Sequence, residues 1–315
     1  MIDQDDIRAA AARIDGYVRV TPVMALEQGA FGFEAPITLK LELQQVTGSF
    51  KPRGAFNRVL SAAESAAVPE AGLITASGGN HGQAVAYVGR RLGHAAEIFV
   101  PESSPPLKAE RMRRHGATVN VAGEFYDDSY ALMLERAEET GALLVHAYDQ
   151  PETVMGQGTL GMELAGQVPD LDTVLVAVGG GGVIAGVAAW YRGETKVVSV
   201  EPEEIPTLAA ALRAGEPVDV DVGGYAADSL GARRVGDIPF EVAREFVQDS
   251  VLVTDDAIRD AQSALWDSLR ILAEPGGAAA MAAIISGAYR PSPGERVGVL
   301  VCGGNTTRMP EPIVP

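Results

Sequence analysis

The sequence holds four lysines against 21 arginines, and one of the four lies in Thr47-Gly48-Ser49-Phe50-Lys51-Pro52-Arg53-Gly54-Ala55. Arginine keeps its proton and cannot act as an amine nucleophile. Lysine can, once burial or a nearby cation lowers its pKa. Pro52 disfavours helical geometry at Lys51 but suits the first turn of a helix starting just after it. The spacing therefore puts an amine at the mouth of a helix. An exposed loop lysine is the plain alternative.

Four further turns carry unusual residues. In Ala76-Ser77-Gly78-Gly79-Asn80-His81-Gly82-Gln83-Ala84 a strand end leads through a turn into a helix. Free N–H groups at a helix start suit a carboxylate or a phosphate, and Asn80 can hydrogen-bond a ligand oxygen. Ser77 or Asn80 can equally cap the helix, and the two roles are compatible. The second turn, Val178-Gly179-Gly180-Gly181-Gly182-Val183, spends four glycines after a buried strand. Such a run is costly in backbone entropy, and a phosphate cradle explains it. No Gly-Lys-Ser/Thr follows, and no dinucleotide frame of Gly-x-Gly-x-x-Gly fits. The third turn, Ala273-Glu274-Pro275-Gly276-Gly277, opens a small-residue helix and by itself reads as close helix packing. In the fourth, Val301-Cys302-Gly303-Gly304-Asn305, Cys302 is a weak donor and a possible thiolate, or else a small buried hydrophobe. Among the four histidines no pair has metalloprotease spacing, His81 lies in the Asn80 turn, and His94, His115 and His146 read as structural. No metal site is expected.

These turns need strands and helices to carry them. Short apolar runs at 38–42, 72–75, 96–100, 118–121, 173–178, 197–200 and 297–301 read as strands, several of them fully apolar as central parallel strands are. Helical stretches at 81–92, 106–115, 127–140 and 257–272 lie between them. The alternation predicts an α/β fold with two open, mostly parallel twisted sheets flanked by helices, one sheet per lobe. Ligands of such sheets bind beyond the carboxyl ends of the strands. The uncharged stretch 174–191 is long enough to resemble a membrane span, but its central glycines split it into strand, turn and helix.

The 315 residues carry a net charge of −17, which argues against a nucleic-acid surface and against anionic membranes. Cys302 is the single cysteine, so no internal disulfide and no cysteine metal cluster can form. The acidic start Met1-Ile2-Asp3-Gln4-Asp5-Asp6 is not that of a signal peptide. A soluble cytoplasmic protein is expected. In that setting the sequon Asn305-Thr306-Thr307 has no meaning.

Taken in order, Ser49-Phe50-Lys51-Pro52-Arg53-Gly54-Ala55, Ser77-Gly78-Gly79-Asn80-His81-Gly82-Gln83, Gly156-Gln157-Gly158-Thr159, Gly179-Gly180-Gly181-Gly182, Glu274-Pro275 and Cys302-Gly303-Gly304-Asn305 closely resemble the serine/threonine dehydratases. These belong to the fold type II (β-family) pyridoxal-phosphate enzymes, with serine racemase among their relatives. The resemblance implies pyridoxal 5'-phosphate as cofactor and Lys51 as the Schiff-base lysine and, once released, the base for the α-proton. It implies that Phe50 packs near the ring, that Asn80 meets the phenolic oxygen and that Gly179, Gly180, Gly181 and Gly182 hold the phosphate. Ser77, Asn80 and His81 would grip the substrate carboxylate, Cys302 would face the ring nitrogen, and Glu274 would stand near the ring's edge. A neutral partner at that nitrogen makes the ring a weaker electron sink, which suits β-elimination over a long-lived carbanion.

Three departures bear on specificity. Racemases of the family carry a serine where Gly78 stands, so racemisation is disfavoured and extra room for a bulkier β-hydroxy amino acid is expected. Ser229 follows Ala227-Asp228 where relatives usually have glycine, which alters the ring's edge. Glu201 is followed six residues on by Thr207 rather than an acid, so no magnesium is expected. The sequence stops at Pro315, which leaves no room for a regulatory extension and makes feedback by isoleucine unexpected. The expected activity is α,β-elimination from L-threonine, L-serine or a related β-hydroxy amino acid, giving a 2-oxo acid and ammonia. A racemase or β-replacement synthase, a non-catalytic cofactor binder, and more remotely a nucleotide-binding oxidoreductase are the alternatives. The expected organisation is a large cofactor domain, 1–47 and 149–315, and a small substrate-gripping domain, 48–148. The expected partners are a small amino acid and a second copy of the chain, with no nucleic acid and no membrane.

Overall fold

The computed structural model describes residues 1–310; the last five, to Pro315, lie outside the described residues. The strands are β1 (Val23–Ala25), β2 (Ile37–Lys40), β3 (Leu73–Ala76), β4 (Ala96–Val100), β5 (Thr118–Val121), β6 (Leu143–Leu144), β7 (Thr173–Ala177), β8 (Lys196–Pro202), β9 (Asp249–Val253) and β10 (Val297–Leu300). They form a six-stranded sheet ordered β1-β2-β10-β7-β8-β9 and a four-stranded sheet ordered β5-β4-β3-β6. Only β1 is antiparallel to its neighbour; every other pairing is parallel. The chain is therefore α/β with two mostly parallel sheets. Each apolar run found in the sequence is a strand, and β1, β6 and β9 are additions.

The helices are α1 (Gln4–Ile14), α2 (Lys51–Ser65), α3 (Asn80–Leu92), α4 (Pro106–Arg114), α5 (Tyr126–Thr140), α6 (Pro151–Gln167), α7 (Gly182–Tyr191), α8 (Thr207–Ala214), α9 (Ala227–Leu230), α10 (Asp237–Phe246), α11 (Asp255–Leu269) and α12 (Pro275–Ile285). The stretch 174–191 divides into β7, a glycine turn and α7, and no described helix is long and apolar enough to cross a membrane. Expected boundaries move by one to three residues at several elements, and two of the shifts have a clear physical cause. Helix α2 opens at Lys51 itself rather than after it, because Phe50 already has helical dihedrals. Helix α11 stops at Leu269, where Arg270 turns left-handed with φ 57° and its N–H closes on the Leu265 and Trp266 carbonyls.

Helices α2, α6 and α7 form the frame that ties the two sheets together. A Cβ on Gly156 would lie 2.5 Å from the Arg53 carbonyl oxygen, and one on Gly186 would lie 2.4 Å from the Gly158 nitrogen. The Gly156-Gln157-Gly158 motif thus lets α6 press against α2 on one side and α7 on the other. Close helix approach, not ligand contact, accounts for its glycines.

A buried ion cluster fixes the same frame. Arg53 donates to Glu42 at 2.8 Å and to Glu163 at 2.9 Å, and Lys40 pairs with Glu163 while donating to the Thr21 carbonyl at 2.8 Å. Two cations and two anions balance, and the neighbouring carboxylates push Arg53 further up despite its burial. Removing one partner of such a cluster strands a buried charge.

Candidate active site

A cavity of 450 Å³ opens where the carboxyl ends of the two sheets face each other. Lys51, the loop 179–182, the turn 77–80, Glu274 and Cys302 all line it. The distant segments that hold the candidate residues therefore meet at one place. Phe50 lines it as well, and the Lys51 amine rides over the Phe50 ring at 5.1 Å.

The backbone around Lys51 is zipped to the last strand's turn. Ser49 bridges Gly303, the Phe50 N–H donates to the Cys302 carbonyl at 3.2 Å, and the Gly304 N–H donates to the Gly48 carbonyl at 2.9 Å. The chain enters this zipper through Thr47 at φ 64° and Gly48 at φ 77°. Left-handed geometry at a β-branched residue is costly, so the turn is held by its surroundings. The Lys51 amine donates to the Ala147 carbonyl at 3.0 Å, and burial lowers its pKa to about 8. An amine in that range spends a useful fraction of its time neutral and nucleophilic near neutral pH.

Across the cavity the loop 179–182 ends β7 and starts α7. Gly181 has φ 92°, which side chains rarely adopt. A Cβ on Gly180 would stand 2.3 Å from the Tyr148 ring, and one on Gly182 would stand 2.9 Å from the Tyr148 backbone. The glycines are thus required by Tyr148 as well as by any ligand. The N–H groups of Gly180 and Gly181 find no acceptor among the described residues. With the free first N–H groups of α7 they make a donor set fitted to a phosphate.

A hydrogen-bonded chain holds Asn80. Its Nδ2 donates to Glu274 and its Oδ1 accepts from Asn305 Nδ2 at 2.7 Å, while Asn305 also donates to the Thr47 carbonyl at 2.7 Å. A Cβ on Gly303 would collide with Glu274 Oε1 at 2.0 Å, so Gly303 makes room for this chain. Burial raises Glu274 to about 7, so its carboxyl changes charge near neutral pH. Ser77 turns inward locally, its hydroxyl accepting from the Gly79 N–H at 3.2 Å. His81 is buried, and its Nε2 lies 2.8 Å from the Val145 carbonyl, which fixes the proton on that nitrogen. Burial, and then the nearby Lys51, lower its pKa to about 3. The ring is neutral, and its unprotonated Nδ1 finds no partner among the described residues. Only the backbone N–H of residue 81, not its ring, suits a carboxylate.

Cys302 is buried, donates to the Gly276 carbonyl at 3.3 Å, and is pushed by burial up to about 12. It is a neutral thiol and not a thiolate. Ser229 binds the first turn of α12, its hydroxyl accepting from the Gly276 N–H at 2.8 Å. Glu201 is spent on capping α8, accepting from the N–H groups of Leu208 at 2.7 Å and Ala209 at 2.8 Å. The room expected beside Gly78 is filled: Ser104 Oγ lies 2.1 Å from where a Cβ of residue 78 would stand. Tyr148 and Ser104 carry no signal in the sequence, and Asn305 figures there only as the end of the last strand's turn motif and as a sequon, with no role assigned. Each acts through contacts at long sequence separation that no local pattern carries; only the Asn305 position, just after a Gly-Gly strand end, offered a hint.

A family model described as "Pyridoxal-phosphate dependent enzyme" matches residues 14–303. An L-threonine ammonia-lyase of Thermotoga maritima is 34% identical over 97% of this chain and 76% of its own length. A serine racemase of Oryza sativa subsp. indica is 33% identical over 96% of this chain and 91% of its own. Among solved structures, a threonine deaminase of T.th. superposes with a TM-score of 0.90 at 33% identity, over 98% of this chain and 100% of that one.

Proposed function

We propose that this chain, which belongs to the family of pyridoxal-phosphate dependent enzymes, eliminates water and ammonia from L-threonine, L-serine or a related β-hydroxy amino acid. The observation that carries this reading is the lowered Lys51 amine sharing one cavity with the open N–H groups of the loop 179–182. The donor set fits the cofactor: Gly179, Gly180, Gly181 and Gly182 with the first N–H groups of α7 would hold the phosphate. Lys51 would hold the aldehyde, Phe50 would pack beside the ring, and Asn80 would meet the ring oxygen. When bound, pyridoxal phosphate supplies an electron sink that makes the Cα–H of an attached amino acid acidic.

The protein's own groups then do the rest. Lys51 Nζ, once free, takes the proton from Cα. The turn 77–80 and the N–H of His81 orient the carboxylate. Cys302 keeps its proton, so it would offer no anion to the ring nitrogen, and the ring would be a weaker electron sink, which suits loss of the β-hydroxyl. Glu274 holds Asn80 and changes charge near neutral pH beside it. In the balance, one β-hydroxy amino acid gives one 2-oxo acid and one ammonia, the water lost in elimination being regained in hydrolysis.

The relatives also include serine racemases, so inversion at Cα is the second reading. We further propose the division into 1–47 with 149–315 and 48–148, in line with the smaller sheet lying wholly within the middle segment. Action as a homodimer in the cytoplasm follows from the family resemblance and the acidic composition. The test is an assay for 2-oxo acid and ammonia over serine, threonine, β-hydroxyaspartate and phenylserine in both stereochemical series, with chiral analysis of the remaining substrate. Elimination from at least one L-substrate is expected. Inversion without elimination would move the assignment to a racemase, and inertness toward all of them would end it.

A further inference from the structure

The cavity wall beside Gly78 carries a hydroxyl that nothing in the fold holds. Gly78 lies in the turn after β3, and the loop 101–105 follows β4, its parallel neighbour. Both turns therefore stand on the same edge of the smaller sheet, and both line the cavity. A Cβ on residue 78 would meet Ser104 Oγ at 2.1 Å and Ser104 Cβ at 3.2 Å, so the glycine is what allows this serine to enter. Ser104 is set between Pro101 and Pro105 in sequence, and its N–H donates to the Pro101 carbonyl at 2.9 Å. Its half-buried hydroxyl takes part in no hydrogen bond among the described residues.

A hydroxyl on a cavity wall that no protein group holds is free to bond water or a ligand that displaces it. The chemistry of its neighbours narrows the ligand. The backbone N–H groups of Gly78 and Asn80, which find no acceptor among the described residues, donate only and suit a carboxylate. A serine hydroxyl both donates and accepts, and so suits another hydroxyl close to that carboxylate. We propose that Ser104 is a specificity-determining residue that hydrogen-bonds the hydroxyl on Cβ of the substrate, entering the space that Gly78 leaves free. This rests on the reading of the chain as an enzyme of β-hydroxy amino acids.

The test uses the cofactor-loaded full chain and two ligands that cannot lose an α-proton, α-methylserine and 2-aminoisobutyrate, which differ by one hydroxyl. Their binding is read from the change in visible absorbance of the bound cofactor. The native protein is expected to prefer α-methylserine by up to about tenfold, the scale of one net hydrogen bond. Ser104→Ala should erase that preference while leaving 2-aminoisobutyrate affinity within about twofold. Gly78→Ser combined with Ser104→Gly, which returns a hydroxyl to the same space from the other turn, should restore it. An equal loss of both ligands, or a preference unchanged in Ser104→Ala, would overturn the proposal. Because the measurement needs no turnover, a Ser104-dependent preference in a protein that eliminates nothing would sink the elimination reading alone.

Discussion

Lys51 and Glu274 both sit in the fold at a cost, because burial works against the charged form of each. For Lys51 the folded pKa of about 8 lies below the usual 10.5, so the amine gains its neutral form as pH rises through 8. At pH 6 only about one amine in a hundred is neutral. Capture of pyridoxal phosphate by cofactor-free protein should therefore accelerate from pH 6 to pH 8 and level off above it, as followed by rapid-mixing absorbance. A flat profile would mean that the amine is not the reacting group. For Glu274 the sign is opposite. Its folded pKa of about 7 lies above the usual 4.5, so the fold binds a proton that the unfolded chain releases. The cost of ionising it is absent below pH 4.5 and complete above pH 7. Glu274→Gln should gain stability over the native chain across that interval, by roughly 2–3 kcal/mol in denaturant unfolding of the cofactor-free protein.

At the scale of elements, the glycine loop and the helix frame were readable for different reasons. The loop 179–182 stands out in the sequence because four glycines after a buried strand have no cheap structural purpose. The Tyr148 ring against Gly180 was not readable, since it comes from the segment after β6, a two-residue strand with no pattern of its own. Strand β9 was hidden by its exposed Asp249 start at the sheet edge, and β1 by having three residues. The Gly156-Gln157-Gly158 motif was legible as a family mark, but its work in packing α6 against α2 and α7 appears only when the helices are seen to cross. The Tyr148 contact makes a prediction. Gly180→Ala drives a Cβ into the ring, and should cost about 1–3 kcal/mol in stability and weaken cofactor affinity at least about tenfold by equilibrium dialysis. Adding Tyr148→Ala should recover much of the lost stability. Failure of the second change to help would show that the glycine serves the loop's own conformation alone.

For the whole molecule, the strand-end rule picks out from the sequence most of the polar and glycine residues that line the cavity. Lys51, Asn80, the glycine loop and Cys302 each follow a recognisable strand or open a helix, and all line one cavity. What the pattern could not supply was the packing between distant segments: Ser104 beside Gly78, Asn305 beside Asn80, and the charge cluster of Lys40, Glu42, Arg53 and Glu163. That cluster ties β2, α2 and α6 together, with Arg53 two residues along α2 from Lys51. Glu42→Ala should leave Arg53 buried and underpaired, lowering stability by about 3–5 kcal/mol in thermal or denaturant unfolding. A change below about 0.5 kcal/mol would mean that water or Glu163 fully replaces Glu42. The central claim is that the Lys51 amine is the group that turns this cavity into an eliminating site. It is tested most directly by loading the native protein and Lys51→Ala with pyridoxal phosphate, then following the visible band and 2-oxo acid release from L-threonine and L-serine together. The account predicts a band and release in the native protein and the loss of both in Lys51→Ala, with folding intact by circular dichroism. A native protein that never acquires the band, or a Lys51→Ala protein that keeps both band and release, would contradict it.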